Sequence, residues 1–394
     1  MEKPYWLVNR QAAFPALTQD RQVDVAVIGA GITGASVCYW LADKCRVVLL
    51  EEDIIAGKAS GRNAGFLLSG TSDYYHQAVQ RYGREKARTL WKITRENQDL
   101  LETHIFQDDA CDHKRSGGYL VATSDQEMGD IRESVALLRE DGFPYQLIDA
   151  GEINTILSSK GFFGAALNER DGEVNPVKLV DALVRRATSK GTELFEKTRV
   201  KGITAEKEGL QITTDQAVVR ADFVVLATNA YTPLLDPYFQ DKIMPTKGQM
   251  LATKPLGRRF SGVFYANYGY EYWRQAPDGR VLAGGFRELD FSGEQGYGMI
   301  TTKHIQDHLE QLLKQLSLEF KVEKRWSGIM GFSRDRLPMI GPMPGNDKLL
   351  VALGYSGHGL GFGFYAGRMI AELILHGQTE NLALFASALS PLTR

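Results

Sequence analysis

The stretch VDVAVIGAGITGASVCYWLADKCRVVLLEED, residues 23–53, decides the fold. It predicts a strand, a glycine-rich turn, a helix and a second strand, since runs of Val, Ile and Leu suit strands covered on both faces of a parallel sheet. The turn has GxGxxG spacing: the first glycine permits a tight turn, the second lets amides approach a pyrophosphate, and the third lets helix pack on strand. An acidic residue ends the second strand, where a carboxylate can accept hydrogen bonds from ribose hydroxyls. We therefore expect a dinucleotide site made by Gly29, Gly31, Ile32, Thr33, Gly34, Glu51 and Glu52.

Composition limits the classes of function. The chain has 394 residues, a formal net charge of -2 and 43% hydrophobic residues, as expected of a globular protein long enough for two domains. The charge gives no general attraction to nucleic acid, and no basic aromatic stripe is present. Three cysteines provide no disulfide framework, so we expect a reducing, cytoplasmic compartment.

Three further patterns argue against a membrane span, a signal peptide and a metal site. Residues 25–42 carry no charge, but a strand-like start and a glycine-rich centre favour a buried strand, turn and helix over a membrane span. Residues 1–22 lack the apolar centre of a signal peptide. His304 and His308 lie at i, i+4 without the Glu of HExxH or an apparent third ligand, so we expect no metal site.

The order of patterns predicts an α/β protein in which a Rossmann-type domain is interleaved with an α+β substrate domain on a mostly antiparallel sheet. Aromatic-rich short strands with hairpin signals occupy about 244–291, between segments of α/β texture. We assign 1–75, 150–235 and 325–394 to the dinucleotide-binding domain, and 76–149 and 236–324 to the substrate domain.

The segment ASGRNAG, residues 59–65, bears on which dinucleotide is bound. It resembles the SxRNxG loop of the FAD-dependent D-amino-acid oxidase superfamily, which contains glycine, sarcosine and γ-glutamylputrescine oxidases. The similarity covers nearly the whole chain, with GEVNPVKLVDALVRRATSKG at 172–191, TRVKGI at 198–203, DFVVLATNAYTPLL at 222–235 and the DxxPxIG pattern at 335–341. One departure is Asn229, which replaces the glycine of the family's ATGAW segment.

The resemblance implies non-covalent FAD and assigns roles along the loop. In the family this loop passes the pyrophosphate and the flavin ring, so Arg62 would pair with phosphate, and the backbone of Val200 would meet the adenine. The implied cofactor-binding residues are Ser60, Gly61, Arg62, Asn63, Ala64, Gly65, Val200, Ala227, Thr228 and Gly328.

A second glycine-rich segment, GYSGHGLGFGF at 354–364, matches the family's GxSGHG turn. By resemblance this turn lies over the pyrimidine edge of the flavin and opens a helix over about 363–375. Its amides and helix dipole would favour negative charge at that edge. The implied contacts are Gly354, Gly357, His358, Gly359, Leu360 and Gly361; for His358 a merely packed or solvated ring is the alternative.

The segment NYGYEYWRQ, residues 267–275, provides the candidate catalytic face. If it is one strand, side chains two residues apart share a face, which would form an aromatic wall with a cation, suited to an amine or another polar organic substrate. An ordinary aromatic sheet face is the alternative. The candidate catalytic residues, with His358, are Tyr268, Tyr270, Tyr272 and Arg274.

Three departures from the family bear on substrate and acceptor. Met330 stands where glycine-oxidase-like relatives have an Arg that clamps the substrate carboxylate, so α-amino acids are disfavoured unless Arg274, Arg287 or Arg334 substitutes. Gly328 stands where sarcosine-oxidase relatives attach flavin to a Cys. Ala283 aligns with an oxygen-activating Lys of those relatives, so rapid reaction with oxygen is not assured.

The resemblance implies an oxidoreductase that oxidises a C–N bond of a primary or secondary amine or an amino acid. Hydride would pass to flavin N5 and the imine would hydrolyse, with O2 as acceptor. The motifs are most similar to those of the γ-glutamylputrescine oxidase-like branch. Three alternatives stay open: a dehydrogenase of the same fold that reduces a quinone or protein, a non-catalytic FAD-binding or electron-transfer subunit, and an NAD-dependent dehydrogenase, which would have no use for the SGRNAG and GYSGHG segments.

Overall fold

The computed structural model describes residues 3–108, 110–386 and 389. Residues 1–2 and most of 387–394, which we assigned to the dinucleotide-binding domain, lie outside this range. Among the described residues the strands are β1 (Arg21–Ile28), β2 (Val47–Leu50), β3 (Phe66–Leu67), β4 (Gly118–Ala122), β5 (Gln146–Ile148), β6 (Gly164–Asn168), β7 (Gly172–Glu173), β8 (Glu193–Phe195), β9 (Val200–Ala205), β10 (Leu210–Thr214), β11 (Val218–Leu226), β12 (Ile243–Thr253), β13 (Val263–Ala266), β14 (Glu271–Gln275), β15 (Val281–Gly285), β16 (Val322–Ser333), β17 (Met339–Met343) and β18 (Asn346–Leu353).

The helices begin mostly at polar caps or after glycine. They are α1 (Ile32–Leu41), α2 (Tyr75–Tyr82), α3 (Arg84–Leu101), α4 (Asp125–Glu140), α5 (Ala150–Ile156), α6 (Pro176–Thr188), α7 (Thr232–Leu235), α8 (Lys303–Gln315), α9 (Gly359–His376) and α10 (Leu382–Ala386). Asn175 caps α6 by accepting from the amides of Val177 and Lys178, the usual way to satisfy free N–H groups at a helix start. Helix α9 begins at Gly359, four residues before the predicted start.

The first sheet has the predicted dinucleotide-binding arrangement. Its strand order is β17-β18-β11-β1-β2-β8, with β10 and β9 added beside β11. Strand β1 runs parallel to β11 and β2, and Val25, Ala26 and Val27 are fully buried, because helices cover a parallel sheet on its faces.

Helix α9 packs tightly on α1. A Cβ added at Gly367 would lie 2.5 Å from the Cβ of Ser36, and Thr33 Oγ1 donates a hydrogen bond to the Tyr355 hydroxyl at 2.9 Å. Helices from near the two ends of the chain are thus in contact beside the GYSGHG turn.

The second sheet has the order β16-β12-β15-β14-β13-β4-β6-β5. All its neighbouring strands are antiparallel except β13 and β4. Helix α8 packs on one face, around the fully buried Trp273. The predicted fold class, a Rossmann-type domain interleaved with an α+β domain on a mostly antiparallel sheet, is confirmed.

Two of the predicted domain boundaries need correction. Strand β6 belongs to the second sheet although it falls in 150–235, because it pairs with β4 and β5. Most of β16 also belongs to this sheet although it falls in 325–394, since it pairs with β12 along almost its whole length.

Candidate active site

One cavity connects the two sheets. Its walls include the residues that follow β1, β2 and β11, the loop between β2 and β3, and side chains of β12 and β14. The carboxyl ends of parallel strands are where open α/β sheets bind ligands.

The turn between β1 and α1 has no room for side chains. Gly29 has φ +101°, and a Cβ there would lie 2.8 Å from the Ala227 carbonyl oxygen. Gly29, Gly31, Ile32 and Thr33 line the cavity. Gly34 does not: a Cβ there would lie 1.9 Å from the Gly29 carbonyl oxygen, so a glycine at this position lets α1 approach the turn, and its cofactor contact stays a prediction.

The start of α1 offers backbone amides and no negative charge. Gly31 caps the helix without a side chain, and no acidic residue lies in the first turn. The Ile32 amide donates to Ser60 Oγ at 2.9 Å. A helix start with free amides attracts an anion such as a pyrophosphate.

Arg62 lies beside this helix start and lines the cavity. Its Nε donates to the Gly57 carbonyl oxygen at 2.9 Å and its guanidinium donates to the Ser327 carbonyl oxygen at 3.0 Å. Within the described part of the chain it forms no ion pair, and burial lowers its pKa. A half-buried cation without a counter-ion fits the pyrophosphate of a dinucleotide.

Two carboxylates follow β2, and the first of them is held in place by backbone amides. Glu51 accepts from the amides of Ala30 and Asp53, both at 2.9 Å, and burial raises its pKa. Glu52 is exposed and pairs with Lys58 at 3.2 Å. The opposite wall is completed by Val200, Ala227 and Thr228.

The SGRNAG loop is braced by its own asparagine. The Asn63 amide nitrogen donates to the carbonyl oxygens of Ala59 and Ser60, and its oxygen accepts from the Gly65 amide at 2.8 Å. The cavity wall contains Ser60, Arg62, Asn63, Ala64 and Gly65. Gly61 is not part of it, and a Cβ there would lie 2.3 Å from the Ala56 carbonyl oxygen; its cofactor contact stays a prediction.

The GYSGHG turn forms another part of the cavity wall. We call the wall made by the β1–α1 turn, the SGRNAG loop and this turn the cradle. Gly357, with φ +91°, precedes His358, the N-cap of α9. Gly357, His358, Gly359, Leu360 and Gly361 line the cavity. Gly354 does not line the cavity, and its amide donates to Asn229 Oδ1 at 3.0 Å; its cofactor contact stays a prediction.

His358 is a neutral polar group in the cavity wall. Its Nδ1 lies 3.5 Å from the Ser356 carbonyl oxygen, and burial lowers its pKa to about 4. At neutral pH the imidazole can therefore donate or accept a hydrogen bond without adding charge.

Two paired glycines of the second sheet line the cavity. Gly248 of β12 pairs with Gly328 of β16. A Cβ at Gly328 would lie 2.9 Å from Arg62 Cβ, and one at Gly248 would lie 2.9 Å from Met330 Cε. Side chains at these two positions would therefore collide with Arg62 and Met330, both of which line the cavity. No cysteine lines the cavity within the described residues.

The aromatic wall differs from the predicted strand face. Asn267–Gly269 is a tight turn in which Tyr268 has φ +53°, and β14 starts only at Glu271. Tyr268 and Tyr272 line the cavity but Tyr270 does not. The assumption that Tyr268, Tyr270, Tyr272 and Arg274 share one strand face is therefore wrong.

Arg274 is a buried structural residue and not a cavity cation. It has no exposed surface, and one guanidinium nitrogen donates to the carbonyl oxygens of Gly65 and Val174 at 2.9 and 3.2 Å. Its Nε lies 3.6 Å from Glu173. It tethers the SGRNAG loop to the second sheet and cannot reach a substrate.

Three wall residues were not among the candidate catalytic residues. Tyr265 is the cross-strand partner of Tyr272, with ring centroids 5.7 Å apart, and it lies 6.1 Å from the His358 ring. Arg287 lies over the rings of Tyr270 and Phe332, at 4.5 and 5.2 Å. Tyr265 could have been found as an aromatic residue in the strand before the hairpin; Phe332 had no sequence signal.

A pair of acidic residues next to this wall makes stability depend on pH. Burial, and then Glu288, raises the pKa of Glu271 from 4.5 to about 7. The folded state therefore binds a proton more tightly than the unfolded chain, so the stabilisation is present below pH 4.5 and is lost as pH rises through 7.

We expect Glu271→Gln to remove this dependence. Between pH 5 and pH 8 the wild type should lose on the order of 2 kcal/mol of unfolding free energy relative to the variant. Denaturant unfolding at both pH values measures it, with the exposed Glu85→Gln as control. An equal pH dependence in wild type and Glu271→Gln would contradict the assignment.

Together the fold and the cavity define a dinucleotide-binding oxidoreductase. A family profile described as "FAD dependent oxidoreductase" (DAO) matches residues 24–373, and the chain belongs to this family of flavoproteins. It is 29% identical to "Probable oxidoreductase OrdL" of Haemophilus influenzae, over 96% of this chain and 88% of that one. It is also 29% identical to "Gamma-glutamylputrescine oxidoreductase" of Escherichia coli, over 96% and 89%. The fold is similar to the crystal structure of L-proline dehydrogenase from P. horikoshii, with a TM-score of 0.80, 22% identity and coverage of 92% and 96%.

Two features are absent from the described residues. No helix there is both long and apolar enough to cross a membrane. No group of His, Cys, Asp and Glu side chains there could hold a metal ion.

Proposed function

We propose that this protein binds FAD non-covalently and oxidises the C–N bond of a small amine or amino acid. The main observation in support is that one continuous cavity leads from the cradle at Gly29 and Arg62 to an aromatic chamber at Tyr265 and Tyr272. Reducible cofactor and organic substrate can thus meet inside one enclosed space. The family relatives, which include oxidoreductases of amines and amino acids, support this choice. From the lack of a disulfide framework we also propose a cytoplasmic location.

The residues present fit the cofactor. The amides at the start of α1 and Arg62 would hold the pyrophosphate, Glu51 the ribose, and the turn around Gly357 the ring edge. Bound FAD supplies the two-electron acceptor that takes a hydride from the substrate carbon. The chain itself orients the substrate, excludes water and provides the neutral imidazole of His358 as a hydrogen-bonding group. We name no general base, because an amine bound in its neutral form needs none.

Arg287 is our candidate for the residue that binds an acidic group of the substrate. It lines the cavity and forms no ion pair among the described residues. The two other arginines considered as substitutes do not qualify: Arg274 is tied to carbonyl oxygens, and Arg334 is exposed, pairs with Asp241 at 3.5 Å and does not line the cavity.

We expect Arg287→Met to separate acids from amines. For an amino acid substrate kcat/KM should fall by about 10- to 100-fold, because a charge-assisted hydrogen bond is lost, while the decarboxylated amine should be little affected. Steady-state kinetics with such a pair measures it, with Arg287→Lys as partial rescue and Arg334→Met as control. Equal losses for acid and amine would exclude a carboxylate contact.

The proposed activity is tested by anaerobic reduction of the purified holoenzyme. Polyamines, γ-glutamylated amines, N-methyl amines and D- and L-amino acids are added singly, and bleaching of the yellow flavin band is followed. Bleaching by any of them supports the proposal; admission of air then separates an oxidase from a dehydrogenase. A flavin that no compound reduces favours a non-catalytic FAD-binding subunit.

Ala283 no longer favours the dehydrogenase alternative. Its side chain is fully buried in the apolar cluster around Trp273 and Leu309, on the α8 face of the sheet, and it does not line the cavity. A lysine at this position would not face the flavin, so its absence carries no information on the oxygen reaction.

A further inference from the structure

One part of the cavity lies outside the cradle and the aromatic wall. Its lining comes from the loop before α2, from α3, from β4 and from the turn between β6 and β7, and includes Ser69, Trp91, Gly118, Tyr145 and Asp171. We call this part the Asp171 pocket. None of the residues assigned above to cofactor or substrate lies in it.

Asp171 brings a buried carboxylate to this pocket. Its exposed fraction is 4%. One carboxylate oxygen, Oδ1, accepts from the Ser69 amide and hydroxyl, both at 2.8 Å, and from the Gln98 amide nitrogen at 3.0 Å. These neutral donors orient the group but leave its charge uncompensated.

Asp171 has no cationic partner in direct contact among the described residues. Within the described residues it forms no ion pair, although two arginines are close in sequence or space. Arg170 pairs with Asp99, and Arg115 with Glu102. Burial raises the pKa of Asp171 to about 6, so the carboxylate is mostly charged at pH 7.5. A buried, charged and unpaired carboxylate is costly unless a positive group arrives with a ligand.

The approach to the other carboxylate oxygen is kept open by Gly118. A Cβ at this position would lie 3.0 Å from Asp171 Oδ2 and 2.7 Å from its Cβ. The surrounding wall is aromatic and aliphatic, with Trp91, Tyr119, Tyr145 and Leu138. Aromatic faces and a carboxylate together are the surroundings that bind an alkylammonium group.

We propose that the Asp171 pocket binds a second, protonated amino group of the substrate, so that the preferred substrates are diamines whose other nitrogen is oxidised. This assignment rests on the proposed function, which places the reacting amine in the same cavity. The distal ammonium pairs with Asp171, and the hydrocarbon chain between the two nitrogens lies along the apolar wall. No covalent change takes place in the pocket.

The test compares amines that differ only in the distal group. Diaminobutane and diaminopentane are set against n-butylamine and n-pentylamine, using FAD-loaded holoenzyme at pH 7.5. Anaerobic flavin reduction gives an apparent Kd for each, and the absorbance shift of the flavin on binding gives a second, reaction-independent value. We expect the wild type to prefer the diamine by at least about tenfold.

Asp171→Asn is the matched variant, because the Asn oxygen can still accept from Ser69 while the charge is removed. It should lower the preference to about one by weakening diamine binding and leaving monoamine binding unchanged. Asp99→Asn removes a carboxylate at the neighbouring Arg170, outside the cavity, and should keep the preference. The assignment is overturned if the Asp171→Asn enzyme still prefers diamines, or if it binds the diamine and the monoamine more weakly by the same factor.

The two proposals fail separately. Bleaching by amines with no preference for the diamine leaves the oxidation standing and overturns the Asp171 assignment. If no amine bleaches the flavin, a diamine-induced absorbance shift that is lost in Asp171→Asn and kept in Asp99→Asn still supports the pocket. The absence of any diamine shift in the wild type overturns it.

Discussion

Gly34→Ala is expected to yield a protein without flavin. The added methyl carbon would lie 1.9 Å from the Gly29 carbonyl oxygen, far inside van der Waals contact, and the obstacle is backbone that cannot rotate away. Helix α1 must therefore move off the turn, and the amides that face the cavity move with it. We expect FAD affinity to fall at least about 100-fold, or the chain to fail to fold, since overpacking against backbone costs several kcal/mol.

The absorbance ratio of flavin to protein after purification, with titration of added FAD, measures this effect. Gly202→Ala is the matched control, because a Cβ at Gly202 of β9 meets no atom within 4 Å; it should purify yellow. A Gly34→Ala protein that binds FAD as tightly as the wild type would contradict the packing described here.

Arg274→Met is expected to give the second largest effect, on stability. Methionine fills much of the volume but leaves the Gly65 and Val174 carbonyl oxygens without their donor and leaves Glu173, 5% exposed, without its nearest cation. Removing one partner from a buried charged pair costs about 3 kcal/mol or more. The loop from Ser60 to Gly65 should loosen as well, so flavin should be lost at lower denaturant concentration.

Urea unfolding followed by tryptophan and flavin fluorescence measures both effects. Arg46→Met, at an exposed pair with Asp24, should leave the midpoint close to that of the wild type. If Arg274→Met instead raises KM for the substrate without lowering stability, Arg274 acts on the substrate after all.

The dinucleotide end of the cavity is predictable from sequence because its constraints are local. Gly34 is required by its contact with the Gly29 carbonyl oxygen within the same turn, Gly29 adopts a φ of +101° there, and Glu51 follows a strand whose run of apolar residues identifies it. Glycines in these motifs have two different roles: some line the cavity, and others let segments of backbone pack closely. Gly34 and Gly61 are needed for close packing of backbone, and neither lines the cavity.

The substrate end is less predictable because it depends on backbone conformation and distant partners. Alternation along residues 267–275 assumes extended backbone, but Asn267 and Tyr268 have φ values of +49° and +53°. Asparagine tolerates this conformation, while tyrosine adopts it rarely, so residue types give no warning of the turn. The partners of Arg274 lie 209 and 100 residues away in the chain, and no pattern around residue 274 contains them.

Strand partners explain the two misplaced boundaries in the same way. Strand β6 follows α5 and is separated from α6 only by the two-residue β7, which resembles an α/β segment, yet its hydrogen bonds go to β4 and β5. The sheet to which a short strand belongs is decided by long-range pairing, which composition does not reveal.

The contact between α1 and α9 has a consequence for how the protein is made. The hydrogen bond from Thr33 to Tyr355 spans 322 residues, which a ribosome adding 5–20 residues per second takes on the order of half a minute to synthesise. During that time the first strands and their helix exist without the element that covers them. We therefore expect cofactor to bind late, after the chain through α9 has emerged. Until then the apolar surface of the growing chain is exposed and must be protected from aggregation.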